Sequence, residues 1–456
     1  MNGISRREML RAAVGAVAAG ALSGNALGGA AAASAPKTPG ARTGGSAADA
    51  SKTFPAKFLW GCATAGQQVE GNNTASDLWL LEHLPQSIFR EPSGDACDHY
   101  HLYAQDIAML ADLGFNTYRF SLEWARIEPE EGAFSNAELE HYRRVLLTCK
   151  EHGLTAMVTY SHFSMPRWFA YKGAWENPDA PALFARFCER ATKHLGDLID
   201  IGSTLNEPDI PQLLSWVDLP GNNLTEMFAK AKGLVRQQLN APAFSGLFFG
   251  EAQKTRDGLV AAHHKGFAAI KGVRPNLPLG FNLAISDDQA SGPNSRLEEK
   301  RKDVYGAWFE VARTCDYLGL QMYTRGLIGQ KELPAPKGAE LTQMGYEFYP
   351  ECVGNVVRYA ATQVKVPLYV TENGIATADD TRRVEYVQRA LVSLKKAIDE
   401  GADVRGYVAW SLLDNWEWMF GYAPQFGIVA VDRATQKRTI KPSAAILGNI
   451  ARRNSL

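Results

Sequence analysis

The sequence predicts an α/β fold, a single (β/α)8 TIM barrel with elaborated loops at the C-terminal face of its strands. Three observations lead there. Short apolar or β-branched runs alternate eight times with longer segments of helical periodicity from Phe58 onward, the pattern of parallel strands joined by crossover helices. Neither G-x-G-x-x-G nor G-x-x-x-x-G-K-[ST] occurs, which removes the usual nucleotide-binding reason for an open doubly wound sheet. The 456 residues, 46% hydrophobic and 21% charged, suffice for a large core and suit one barrel with insertions.

The elements follow in chain order. Residues 1–35 read basic, apolar, small: Ser5, Arg6 and Arg7, then an uncharged Ala/Gly-rich stretch ending Ala33-Ser34-Ala35. This predicts a cleavable export signal of the twin-arginine type, and so a periplasmic or extracellular protein handled by the export translocase. Ala and Gly contribute little transfer energy, which disfavours a retained membrane span. Residues 36–53 (PKTPGARTGGSAADASKT) have the composition of a flexible linker, so the catalytic body is expected over 54–456. Strands are predicted near Phe58, Thr117, Thr155, Ile199, Leu279, Tyr317, Leu368 and Val404. Between them lie amphipathic stretches such as YHLYAQDIAMLADLG, AELEHYRRVLLTCKEHG and RRVEYVQRALVSLKKAIDEG, with Gly as a stop signal. The segment from Asp209 to Gly250 has the least regular pattern and is expected to be a loop over the barrel mouth.

Charge and cysteine content exclude several functions. The 48 Lys+Arg nearly cancel 49 Asp+Glu, so no basic field exists to hold nucleic acid. Six cysteines without a C-x-x-C pair read as buried thiols, and a twin-arginine substrate exported already folded would have set them in a reducing cytoplasm. His99-Tyr100-His101 and His263-His264 fall on predicted helices away from strand ends, with no ligands to complete a shell, so neither a metal nor another cofactor is expected.

The chemistry collects at the strand ends, where a barrel of this kind builds its active site. The fourth strand ends Asn206-Glu207-Pro208 and the seventh Glu372-Asn373-Gly374, so two carboxylates face one mouth from nearly opposite sides. Glycoside hydrolysis needs such a pair: one protonates the departing oxygen while the other attacks, or activates water to attack, the anomeric carbon. Other strand ends bring Gln68, Arg119, His162, Tyr323, Trp410, Glu417 and Trp418. Singly, each has a packing explanation. Together they form a set of planar hydrogen-bonding groups and aromatic faces suited to a pyranose.

At these residues the chain resembles glycoside hydrolase family 1, the β-glucosidase family, from about Phe54 to the C-terminus. The resemblance is carried by FLWGCATAGQQVEG, GDACDHYHLYAQD, YRFSLEWARIEP, TLNEP, GYEFYPE, TENGI and GYVAWSLLDNWEW followed by QFGIVAVD, all in family order. It implies Glu207 as acid/base and Glu372 as nucleophile, with Arg119 and Tyr323 holding and ionising Glu372. It also implies that Gln68, His162, Asn206, Glu417, Trp418 and Phe426 bind substrate, with Trp410 beneath the sugar ring.

Three departures bear on substrate. The sixth strand ends Gln321-Met322-Tyr323 where the family usually shows Asn-Tyr-Tyr. Phe163 and Ser164 follow His162 where most members carry Trp and an acidic residue, and a subset pairs this with Glu-Trp, as in Glu123-Trp124. The stretch after Pro208 bears little likeness to the family's. The expectation is an exported, metal-free, retaining β-glycosidase, most readily a β-glucosidase. Its rivals are a transglycosylase using an alcohol, sugar or lipid acceptor and an inactive sugar-binding relative.

Overall fold

Each of the eight apolar runs forms a strand: β1 (Leu59–Ala63), β2 (Thr117–Ser121), β3 (Thr155–Ser161), β4 (Ile201–Asn206), β5 (Leu279–Ala284), β6 (Leu318–Gln321), β7 (Leu368–Asn373) and β8 (Val404–Trp410). In this computed structural model, which describes residues 52–85, 87–219 and 222–456, each strand pairs in parallel with its sequence neighbours, and β8 closes on β1. The expected export signal and the linker up to residue 51 lie outside the described residues. Residues 52 and 53, expected at the linker's end, pair with the C-terminus: Thr53 bridges Ser455, and Leu456 N donates to Lys52 O at 3.1 Å.

Helices α1 (His99–Asp112), α2 (Asn136–Glu151), α3 (Ala180–Leu195), α4 (Ala252–Val273), α5 (Ala307–Ala312), α6 (Cys352–Gln363), α7 (Asp380–Asp399) and α8 (Pro442–Arg453) accompany the strands. At the start of α2 Ser135 is the N-cap, its side chain accepting from Glu138 N. Its buried Leu139, Tyr142, Val145, Leu146 and Cys149 follow the 3.6-residue period. Asp379 caps α7 in the same way by accepting from Thr381 N. Because helices cover the sheet outside and side chains fill it inside, strands such as β2 and β4 are buried along their whole length. Met157, Ile201 and Tyr317, with Leu59 and Tyr369 packed on them, form a small separate cluster drawn from five strands or strand starts. Residues so spread around the ring meet only inside it, so this cluster plugs the barrel below the site.

The segment from Asp209 to Gly250 is not the loop its sequence suggests. It forms helices Ile210–Ser215 and Leu224–Leu239, with the short strands Asp218–Leu219 and Asn222–Asn223 between them. Phe228, Ala231, Val235 and Leu239 pack on the core at helical spacing. Gly233, an intrinsically poor helix former, lies on the exposed side of this helix and weakens its helix signal in the sequence, but packing of the buried face overrides it.

All six cysteines are buried free thiols. His99 bonds Asp106 through Nδ1 at 2.8 Å and Tyr118 OH through Nε2 at 2.9 Å, while His263 Nδ1 bonds Thr204 Oγ1 at 2.7 Å. Both histidines are therefore engaged in helix-to-strand contacts. Among the described residues no helix is long and apolar enough to cross a membrane.

Candidate active site

β4 and β7 deliver the two carboxylates on different backbones. Beyond Asn206 the chain turns, and Glu207 takes a left-handed φ of 42° while its N donates to Asn282 O at 2.8 Å. A non-glycine residue held in that region is strained, and such residues concentrate at functional sites. Phe163 and Trp418 share the feature, with φ of 69° and 49°, and all three line one cleft. Glu372 lies within β7, in register with Gln321 of β6. After Asn373 the strand passes so close to Trp410 that a Cβ at Gly374 would collide with the Trp410 carbonyl oxygen. That close approach accounts for the glycine of the T-E-N-G run.

The cleft at the strands' carboxyl ends encloses about 1220 Å³, including its open mouth. Glu207, Glu372, His162, Tyr323, Trp410, Glu417, Trp418 and Phe426 line it, as their positions in the sequence suggest. Arg119, Asn206 and Gln68 do not. They sit buried directly behind the lining and act on it through hydrogen bonds.

Glu372 is held by three donors. Arg119 Nη1 reaches Oε1 at 2.6 Å, Gln321 Nε2 reaches the same oxygen at 2.8 Å, and Tyr323 OH donates to Oε2 at 2.6 Å. Burial pushes the Glu372 carboxyl above its ordinary range, and Arg119 and Tyr323 draw it part of the way back. The sequence led us to expect the nucleophile to be ionised by these partners; the added effect of desolvation was not visible there.

Glu207 is different. Its carboxyl has no hydrogen-bond partner among the described residues. Enclosure in the cleft, then the Glu372 charge, push it well above the usual carboxylate range. One carboxylate surrounded by donors and one left bare is the asymmetry a nucleophile and an acid require.

Asn206 links the groups behind the lining. Its Oδ1 accepts from Arg119 Nη2 at 2.6 Å and Gln321 Nε2 at 2.7 Å, and its Nδ2 donates to His162 Nε2 at 3.1 Å. Because Nε2 accepts, the neutral imidazole carries its proton on Nδ1, and that buried atom has no protein partner. Burial and then the Arg119 charge hold His162 well below its ordinary pKa, so it stays neutral. Gln68 Nε2 donates to Trp416 O at 2.9 Å, Asn415 Oδ1 at 3.0 Å and Glu417 Oε2 at 3.3 Å, leaving its Oε1 buried and unpartnered. Burial and then the Glu372 charge push Glu417 up to about 8. The His162 ring lies 5.8 Å from Trp410 and 5.9 Å from Trp418, both stacked on it.

Two residues that sequence reasoning treated as departures prove structural to the site. Gln321 touches both Asn206 and Glu372. Glu123 accepts from Gln67 N at 2.9 Å, Asn73 Nδ2 at 2.8 Å and Ser164 Oγ at 2.6 Å, so it ties the turn carrying Gln68 to the turn carrying His162. The joint departure at Glu123 and Ser164 was the available signal, since the two are bonded to each other.

This geometry agrees with three comparisons. The family model described as glycosyl hydrolase family 1 matches residues 50–235 and 310–456. Beta-glucosidase A of Thermotoga maritima is 32% identical over 456 residues, covering 89% of this chain and 99% of that protein. Beta-glucosidase A of Acetivibrio thermocellus is 30% identical, covering 86% and 96%. Among solved structures, the β-glycosidase BGL167 superposes with a TM-score of 0.84 at 48% identity, covering 88% of this chain and 98% of that one. The Thermotoga maritima β-glucosidase bound to a methoxycarbonyl-substituted glucoimidazole superposes with a TM-score of 0.78 at 27% identity, covering 89% and 100%. With the barrel, the carboxylate pair and the matched length in agreement, the chain belongs to glycosyl hydrolase family 1.

Proposed function

We propose that the protein is a retaining β-glucosidase. The observation that carries this reading is the contrast between Glu372, fixed by Arg119, Gln321 and Tyr323, and Glu207, raised in pKa and bare of hydrogen bonds. Glu207 delivers its proton to the glycosidic oxygen as Glu372 bonds to the anomeric carbon, and the alcohol departs with that proton. Glu207, now a carboxylate, takes a proton from the water that attacks the same carbon and releases Glu372. The unpartnered Nδ1 of His162, which lines the cleft, is a donor for a glycone hydroxyl, and the Glu417 carboxyl, held from behind by Gln68 Nε2, offers an acceptor beside it. The names of the relatives favour glucose as the glycone. Among the described residues the cleft lining contains no Lys or Arg, which favours unphosphorylated sugars.

The deciding experiment is hydrolysis of an aryl β-glucoside followed by NMR. First-formed β-glucose supports the reading and α-glucose overturns it. Absence of turnover would leave the sugar-binding relative, and dominant glucosyl transfer to added alcohol would leave the transglycosylase.

We also propose export by the twin-arginine route, on the strength of Arg6, Arg7 and the small-residue run that follows. Replacing both arginines by lysine should leave active enzyme in the cytoplasm on cell fractionation. Unchanged export would overturn the assignment.

A further inference from the structure

The leaving-group side of the cleft has a distinct chemistry. A departing oxygen has to meet the Glu207 carboxyl at hydrogen-bond distance, so whatever flanks Glu207 at the mouth flanks the aglycone. The helix Ile210–Ser215 begins there, with Ile210 N donating to Glu207 O at 3.2 Å. Ile210, Leu213, Leu214 and Val217 all line the cleft. Ile210, Leu213 and Leu214, at i, i+3 and i+4, share one face of the helix, and Val217 follows just past its C-cap Trp216. All four are turned to an open cavity where such apolar residues normally turn to a core. Phe248 and Met419 add apolar surface to the same cleft, with the Phe248 ring 5.5 Å from Phe163.

One charged side chain interrupts the carbon. Glu332 lines the cleft, and its backbone is tied to the same wall: it bridges Val217, and its N donates to Trp216 O at 3.1 Å. Its Oε2 accepts from the fully buried Lys300 at 2.7 Å, which also holds Asp288 Oδ1 at 2.7 Å. Glu332 Oε1 has no hydrogen-bond partner among the described residues. Ser286, Thr324 and Tyr346 also line the cleft, with Thr324 Oγ1 already donating to Glu347 O at 2.9 Å. A second sugar placed here would bring hydroxyls around its whole edge, more than these few groups can partner, so that several would be desolvated against Ile, Leu and Val. The cleft's space of about 1220 Å³ includes its open mouth, and the apolar wall stands at that mouth beside Glu207, so a group longer than one ring can extend outward along it.

We propose that this half of the cleft is an apolar subsite for a multi-ring hydrocarbon aglycone bearing a distal hydroxyl, which Glu332 accepts. The substrates are then β-glucosides of such alcohols and not cello-oligosaccharides. The proposal rests on the glycosidase reading above.

The test compares kcat/KM for cellobiose with the 17-β-glucosides of androstane-3,17-diol and of androstan-17-ol, all of which release secondary alcohols. The diol glucoside should exceed cellobiose by at least about 100-fold, and removing the 3-hydroxyl should lower its kcat/KM about tenfold. Leu213→Asn, and Phe248→Ser as an independent second variant, should each lower the steroid-to-cellobiose ratio by about tenfold or more. Equal or faster hydrolysis of cellobiose, or a ratio unmoved in both variants, overturns the subsite. β-Glucosyl fluoride, whose leaving group occupies none of the wall, reports the chemistry separately. If the fluoride is not hydrolysed, the glycosidase reading fails. The subsite is then decided by tryptophan-fluorescence titration with the free diol: binding lost in Leu213→Asn supports it, and no binding overturns it.

Discussion

Gln321 Nε2 donates to Glu372 Oε1 at 2.8 Å and to Asn206 Oδ1 at 2.7 Å, so one amide group spans the nucleophile and the asparagine beside the acid. Its own Oε1 is buried without a partner. The side chain is therefore committed to holding the two strand ends in register. Gln321→Ala should lower kcat/KM for an aryl glucoside about 10- to 100-fold, the range expected for losing a hydrogen bond to a charged group. Steady-state kinetics would show the loss mainly in kcat. An unchanged kcat would mean that Arg119 and Tyr323 suffice.

The carboxylate roles predict opposite products with azide. Glu207→Ala should still glycosylate Glu372 from substrates whose leaving group needs no protonation, and azide in the vacated space should yield the β-glycosyl azide. Glu372→Gly cannot form that intermediate, so azide displaces the leaving group directly and yields the α-glycosyl azide. NMR of the isolated azides reads the outcome, and exchanged stereochemistries would reverse the assignments.

Both limbs of the pH profile should lie above the ordinary carboxylate range. Activity rises as Glu372 loses its proton and falls as Glu207 loses its own, and burial raises both groups. The two limbs belong to the interacting pair. Tyr323→Phe removes a donor to ionised Glu372, so the acidic limb should move up, by about one pH unit for a charged hydrogen bond. A downward move would contradict the assignment of that limb.

Glu123→Ala should destabilise the protein by about 2–3 kcal/mol, since it leaves Asn73, Ser164 and the Gln67 amide without their shared acceptor in a buried site. Ser164→Ala, which removes only one of these donors, should cost about 1 kcal/mol. Urea unfolding measures both. Because Glu123 fastens the turns of Gln68 and His162, Glu123→Ala should also raise KM for β-glucosides, while a KM like that of the unaltered enzyme would reduce Glu123 to a packing role.

What the sequence determined by itself was local in origin. Strand and helix periodicity named all eight strands, and the N-E-P and T-E-N-G runs placed Glu207 and Glu372 at two of their ends, because each pattern is written within a few consecutive residues. The same reading failed at Leu224–Leu239, where Gly233 on the exposed side lowers helix propensity and packing of the opposite face overrides it. Tertiary structure alone decided which residues act on Glu372: Arg119 is 253 positions away and Gln321 is 51, and closure of the barrel brings both to one oxygen. It also decided that Glu123 and Ser164 are partners, and that the stripe from Ile210 to Val217 faces a cavity where it could have faced the core. The pKa order of the two glutamates belongs to the same class, because desolvation and charge proximity depend on the surrounding atoms, and chain folding sets where those lie.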